Sequence, residues 1–215
     1  SWVCHTFTHY LSYIRTLLSN KVDILLCNIC LLKMSVSALL VVKNPRKVLL
    51  NTIKSLRVYP FRKIVVVSKE NCEKPSWCDI FIIEKGPLGK ARNVGVDAIA
   101  SQTDSKYVCM VDDDIILTKG FIEKALKYFN NEKVVAVGCR LKSIFDTLPS
   151  RLEELIFRGY CKLHSDLPCG ATIYRVDVLC RERFDDNRVW GEDHELHVRL
   201  KRRGFKIIFI DNLVV

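Results

Sequence analysis

From residue 36 onward the sequence alternates short, nearly continuous apolar runs with longer segments of helical periodicity, and this alternation constrains the fold more than any other feature. The runs are Val36 to Val42, Ile64 to Val67, Asp79 to Ile83, Tyr107 to Val111 and Val134 to Val137. A strand that is apolar on both faces must be covered on both, which is the condition of a parallel sheet between two helical layers. The helical segments fall between the runs. Asn44-Pro45 reads as an N-cap and first-turn proline ahead of Val48, Leu49, Ile53 and Leu56. Gly86-Pro87 opens a helix with Leu88, Ala91, Gly95 and Ala98 inward, and Thr118 caps one bearing Phe121, Ile122, Ala125, Leu126 and Phe129. Leu152, Leu155, Ile156, Gly159, Tyr160 and Leu163 form a helical stripe. Gly170 to Arg175 reads as a strand. A last helix from about Glu192 to Arg203 ends at Gly204, before a closing strand from Phe205 to Ile210. The expectation is an α/β, Rossmann-like fold with a mostly parallel central sheet and helices on both faces. Ligands of such sheets bind beyond the carboxyl ends of the strands.

The 215 residues suit one such domain with an extension. Residues 1–33 lack clean periodicity, and Met34 directly precedes the first strand. The expected division is therefore an amino-terminal extension over 1–33, outside the core, and a domain over 34–215 that starts naturally at Met34. An amphipathic arm docked on the domain or on a membrane surface is the alternative for the extension. No run of eighteen uncharged apolar residues occurs, so no spanning helix is expected. The expected location is the cytoplasm or the cytoplasmic face of a membrane, reached through peripheral contact. Lys and Arg exceed Asp and Glu by 34 to 24, and a net charge of +10 attracts nucleic acid, anionic lipid or phosphorylated small molecules without choosing among them. The 10 cysteines make no zinc pattern: Cys27 and Cys30 form a lone C-x-x-C, and Cys4-His5 has no matching context. Cys109 reads as core filler, and Cys72 and Cys78 flank a short loop that a disulfide would close.

Three places carry chemistry. Asp112-Asp113-Asp114 follows the apolar run ending at Val111. On an extended chain Asp112 and Asp114 share a face, and two carboxylates there repel unless a cation lies between them. An oxygen-loving ion, Mg²⁺ or Mn²⁺, fits. Lys85 to Gly95 opens a helix whose free N–H groups, with Lys90 and Arg92, suit a phosphate. It is neither a P-loop nor a G-x-G-x-x-G. Gly191-Glu192-Asp193 begins the last helix, where the dipole keeps a carboxylate ionised and fit to serve as a base. Beside these, Gly170 and Ala171 are small enough to admit a substrate to the backbone, and Trp190 is placed to stack on a sugar ring or to fill the core.

Taken in order, the first strand, the motif Gly89 to Gly95, the D-x-D at Asp112 and Asp114, the strand Gly170 to Arg175, and Gly191-Glu192-Asp193 followed by Arg199-Leu200 and Gly204 resemble the inverting glycosyltransferases of family 2, with the A-type fold. The resemblance runs from about Met34 to Val215. It implies a nucleotide-diphosphate sugar donor, a Mn²⁺ or Mg²⁺ ion on its pyrophosphate, and a single displacement with inversion. It places Asp112 near the ribose and Asp114 on the metal, and puts Lys90, Arg92 and Asn93 on the donor side. Asp193 becomes the base, with Glu192 as its neighbour and rival, and Trp190, Gly170 and Ala171 lie toward the acceptor. Ser68 stands where the family usually carries an acid against the nucleotide base, which leaves Glu70 to reach it. The acceptor, a glycan, a lipid-linked molecule or a protein, is expected to meet the segment from Ser143 to Asp166.

A nucleotidyltransferase of related fold is the alternative enzyme, but its loop after the first strand is rich in glycine, and Lys43-Asn44-Pro45-Arg46-Lys47 has none. A basic nucleic-acid-binding domain would explain the charge and not the acidic motifs, and aromatics are not interleaved with the basic residues as stacking platforms. Nucleic acid is therefore not expected among the partners; the oligomeric state stays open. The division at Met34 gives a first test. A chain beginning at Met34 is expected to unfold in one cooperative transition in urea; a non-cooperative loss of signal would place residues 1–33 in the core.

Overall fold

The computed structural model describes residues 35–164, 166–167 and 170–215. The chain divides into two units, Ser1–Leu32 and Lys33–Val215, and every element below belongs to the second. The extension, its cysteines and Met34 lie outside the described residues.

Seven strands form one sheet: β1 (Val36–Val42), β2 (Ile64–Ser68), β3 (Ile80–Ile83), β4 (Tyr107–Val111), β5 (Val134–Arg140), β6 (Ala171–Arg175) and β7 (Lys206–Val214). Their order is β3-β2-β1-β4-β6-β5-β7. All pairings are parallel except those of β6, which runs antiparallel to β4 and β5. The start of β6 therefore lies beside the end of β4, with Val111 opposite Ala171. Among the described residues six α-helices accompany the sheet: α1 (Leu50–Val58), α2 (Leu88–Gln102), α3 (Phe121–Leu126), α4 (Leu148–His164), α5 (Val176–Glu182) and α6 (Glu192–Arg202).

Strand alternation builds two cores. Val36, Ala38, Leu40 and Val42 of β1 join Tyr107, Cys109 and Val111 of β4 in a layer with Leu56, Phe121 and Ile122. Leu39 of β1 joins Val108 and Met110 in the opposite layer with Ala91, Ile99, Leu196 and Leu200. Each strand supplies side chains to both, which is why these runs carry no polar face. Cys109 is fully buried, where desolvation pushes its thiol pKa far above the usual range. Cys72 and Cys78 are free thiols.

Three local expectations change. Asn44 caps a 3-10 turn, Pro45–Lys47, by accepting from the Arg46 amide at 3.0 Å, and α1 begins separately at Leu50, leaving Leu49 exposed. The hydroxyl of Thr118 does not cap α3; it donates to the Val214 carbonyl at 2.5 Å, and Gly120, at φ +87°, takes the cap position. The stripe from Leu152 to Leu163 is helical, yet it points outward, away from both cores. Among the described residues no helix is long and apolar enough to cross a membrane.

Gly95 sets how closely α2 lies on β1. A Cβ there would come within 2.4 Å of Leu39 Cδ1, a side chain that is 1% exposed. Glycine inside a helix costs up to about 1 kcal/mol against alanine, so a larger residue gains propensity. Overpacking a filled core costs roughly 1–3 kcal/mol, and for valine, itself a weak helix former, that term wins. Gly95→Val is expected to lower stability by about that amount in urea unfolding; an unchanged midpoint would mean that α2 shifts freely.

Candidate active site

The carboxyl ends of β1, β2 and β4 lie along one end of the sheet, where the antiparallel β6 starts beside β4, and acidic residues follow β2 and β4 there. Past β4 the chain turns tightly instead of staying extended. The Ile115 amide donates to the Asp112 carbonyl at 3.3 Å, and the Asp112 amide donates to the Gly170 carbonyl at 3.2 Å. This turn, not strand alternation, sets the relation of Asp112 to Asp114. Both side chains are exposed, while Asp113 is half-buried. The Asp113 carbonyl accepts from the Leu49 amide at 3.1 Å and from Thr52 Oγ1 at 3.2 Å, which ties the turn to the start of α1. A Cβ on Gly170 would lie 2.5 Å from Asp112 Oδ2, so the small residue makes room for this carboxylate. Ala171, expected toward the acceptor, is fully buried in the core.

Asp112 is exposed at the end of β4 and yet closely surrounded by protein. This confinement pushes its carboxyl pKa up; Arg92 pulls it down, and Asp114, Asp113 and Asp193 push it up again. Three carboxylates, from two distant parts of the chain, thus act on Asp112. Among the described residues no three His, Cys, Asp or Glu side chains are arranged to hold a metal ion alone. Asp112 and Asp114 would supply two oxygens, and a hard divalent ion that takes its other ligands from water and phosphate fits such a pair. The mutual repulsion at Asp112 is what a cation there would relieve.

The motif in α2 reaches across to α6. Gly89 lets the loop after α5 come close: its amide donates to the Arg188 carbonyl at 3.2 Å, and a Cβ would meet the Asp185 carbonyl oxygen at 2.0 Å. Asn93, expected on the donor side, is buried and reads that loop, accepting from the Phe184 amide at 2.9 Å and donating to the Phe184 carbonyl at 2.8 Å and Asp186 Oδ1 at 2.7 Å. Arg92 is buried too; Nη1 donates to Glu192 Oε1, and the guanidinium lies 5.5 Å from the centre of the Phe184 ring. Lys90 keeps its side chain half in solvent, 3.4 Å from Glu84. Glu70 lies past β2, where its carboxylate accepts from Asn44 Nδ2 at 2.9 Å and its carbonyl accepts from Ser68 Oγ at 2.8 Å.

Gly191, at φ +69°, turns the chain into α6. Glu192 then points inward to Arg92, and Asp193 stays half-exposed, with Oδ1 accepting from the His194 amide at 2.8 Å. Trp190 is 88% exposed, which removes the core reading and leaves its indole facing solvent.

One cluster has no counterpart in the sequence reading. Asp166 is buried and bridges two histidines of α6, Oδ2 to His194 Nδ1 and Oδ1 to His197 Nδ1, each at 2.5 Å. Tyr160 donates to Asp166 Oδ2 at 3.3 Å, and Tyr174 meets His197 Nε2 at 2.8 Å. Burial alone would raise the Asp166 pKa, but hydrogen bonds from His197 and His194 overcome it and hold the carboxyl below the usual range. The histidines are three apart on a helix and so share a face, a spacing visible in the sequence. Their partner comes from a distant loop and is not.

The comparisons agree on kind. The profile of the family described as Glycosyl transferase family 2 matches residues 37–188. A curated relative, the pre-mycofactocin glycosyltransferase of Mycobacterium tuberculosis, is 28% identical over 201 residues, covering 80% of this chain and 40% of the relative. The chain thus spans less than half the length of the curated relatives it matches. Among solved structures, the mannosyltransferase PcManGT from Pyrobaculum calidifontis, in complex with GDP-Man and Mn²⁺, superposes with a TM-score of 0.62 at 14% identity over 84% of this chain and 55% of that one. Glucosyl-3-phosphoglycerate synthase from Mycobacterium tuberculosis, in complex with Mn²⁺, UDP and glucosyl-3-phosphoglycerate, gives 0.58 at 16% identity over 85% and 71%. These likenesses establish a shared A-type glycosyltransferase fold.

Asp166 carries a pH prediction. Its folded pKa is depressed, so its stabilisation is complete above the ordinary aspartate range and shrinks as the pH falls through that range toward the lower folded value. Asp166→Asn should lose about 1–3 kcal/mol near neutral pH, the usual cost of a broken buried polar pair. The gap to the wild type should narrow on acidification below the ordinary aspartate pKa. A gap that is constant with pH in denaturant titrations would rule out an ionised Asp166.

Proposed function

This chain belongs to glycosyl transferase family 2, and on that footing we propose that it moves a hexosyl group from a nucleotide-diphosphate donor to an acceptor hydroxyl by a single displacement with inversion. The observation that carries this reading is that Asp114, two residues along the turn after β4, and Asp193, at the start of α6, both act electrostatically on Asp112 at the exposed end of β4. Family membership sets the nucleotidyltransferase alternative aside.

Asp112 and Asp114 are the residues that would hold a Mn²⁺ or Mg²⁺ ion. When bound, such an ion neutralises the diphosphate as it leaves, so no protein acid is needed there. The protein's part is positional. The turn at Asp113 is anchored to α1, so Asp112 and Asp114 present their oxygens from a fixed backbone. Glu70, after β2, and Lys90, in the first turn of α2, would lie on the donor side, where Glu70 would reach the nucleotide base. Arg92 acts from below: it secures Glu192 and lowers the Asp112 pKa, which keeps that carboxylate available. Asp193 would take the proton of the attacking hydroxyl. Glu192 is unsuited to that step, because its carboxylate is buried against Arg92. The exposed Trp190 offers a flat face to an acceptor arriving beside Asp193.

The assignment separates by kinetics and stability. Asp193→Asn should lower kcat by roughly a hundred- to ten-thousand-fold, the usual contribution of a positioned base, with donor affinity nearly unchanged. Asp114→Ala should abolish transfer and cation-dependent donor binding. Glu192→Gln should act chiefly on the fold, since losing one partner of a buried pair costs about 3–5 kcal/mol. Near-wild-type turnover in Asp193→Asn, or a product that retains the anomeric configuration, would overturn the mechanism.

A further inference from the structure

α4 faces the wrong way for a helix of a closed domain. Leu148, Leu152, Leu155, Ile156 and Leu163 fall within an arc about 100° wide on a helical projection. Every one of them is exposed, from 50% at Leu152 to 80% at Leu163. Eight of the fifteen exposed large hydrophobic side chains among the described residues lie between Ile144 and Leu163. The opposite face makes the attachment to the domain: Cys161 is buried, and Glu154 accepts from the Ser143 amide at 2.7 Å and pairs with Arg140 at 3.3 Å. An exposed apolar area this concentrated marks an interaction surface.

The edges of the arc indicate what covers it. Arg151, Arg158 and Lys162 line one side. They are shared between two carboxylates, Asp146 with Arg151 and Asp211 with both Arg158 and Lys162, so the edge keeps an excess positive charge. Exposed Lys142 adds to it, on a chain of net charge +10. Phe145 precedes the helix, 67% exposed, and Tyr160 borders the other side. A leucine-rich face flanked by basic and aromatic residues is the pattern of a helix lying in the interface of an anionic membrane. An antiparallel second copy on the same face would bring two basic edges together, which like-charge repulsion opposes.

We propose that the outward face of α4 is a docking surface for an anionic lipid bilayer, with its leucines among the acyl chains and its basic edge at the headgroups. Its carboxyl end lies beside the site, because Tyr160 meets His194 Nδ1 at 3.2 Å, one residue past Asp193. Docking would thus present the acceptor side of the cleft to molecules carried in the membrane, and this consequence alone rests on the proposed function.

Vesicle flotation of the full 215-residue chain tests the docking. The wild type is expected to float with phosphatidylcholine vesicles containing phosphatidylglycerol, and far less with phosphatidylcholine alone or at high salt. L155E/I156E should lower binding to the mixed vesicles roughly tenfold or more, since it removes two inserted side chains and adds charge that the surface repels. Its melting temperature should stay that of the wild type; if it does not, Leu163→Ser carries the same readout. Failure of the wild type to bind, or equal binding by the variants, overturns the proposal. So does a wild-type dimer that the variants convert to monomer without any vesicle binding, which assigns the face to a second copy. Vesicle binding in a chain that binds no nucleotide sugar would leave the docking standing and remove the proposed function.

Discussion

Arg92 and Glu192 are buried together although a hundred positions separate them, and the arrangement of the site depends on that pair. Arg92 belongs to α2, in the half of the sheet made by β1 to β4, and Glu192 begins α6, which packs on the other half. Two ions out of water are costly apart and tolerable only together, so the pair fixes how closely the helices approach. Gly89, through its amide, and Asn93, through its side chain, lie on the same side of α2 and hold the main chain of the loop from Phe184 to Arg188. The segment that leads to Asp193 is thereby set against the end of β4. The motif that the sequence suggests as a phosphate cradle thus also clamps the segment that leads to Asp193.

The clamp also shapes the electrostatics. Arg92 is the cation that most lowers the Asp112 pKa, while three other carboxylates raise it. A basic chain thus holds an acidic floor, and this combination suits a ligand that is anionic overall but arrives with a divalent cation. Asp166 and its two histidines add a second tie, joining the segment just after α4 to the first two turns of α6. The exposed face of α4 and the half-exposed Asp193 are therefore parts of one connected region.

How much of this was legible follows from the range of each interaction. The strands could be read because two-sided burial leaves an unmistakable apolar run, and the acidic pair could be placed because it ends one of them. The sheet's single reversal at β6 was not legible, since an antiparallel strand inside a covered sheet is as apolar as a parallel one. Helix α5 begins at Val176, directly after β6 ends at Arg175, and its seven residues are too few to show a period. The role of Asn93 depends on Phe184, more than ninety positions away, and no local pattern announces it. The stripe on α4 was visible, but periodicity describes only which residues share a face, not what that face meets.

The central claim is that the floor bearing Asp112 and Asp114 receives a nucleotide sugar together with a divalent cation. A thermal-shift series of nucleotide sugars, each with Mn²⁺ and again with EDTA, tests it most directly, because a ligand that binds only the folded chain raises its melting temperature. The account predicts that one class of donor raises the transition strongly in Mn²⁺ and barely in EDTA. Equal stabilisation in EDTA, or none from any donor, would contradict it.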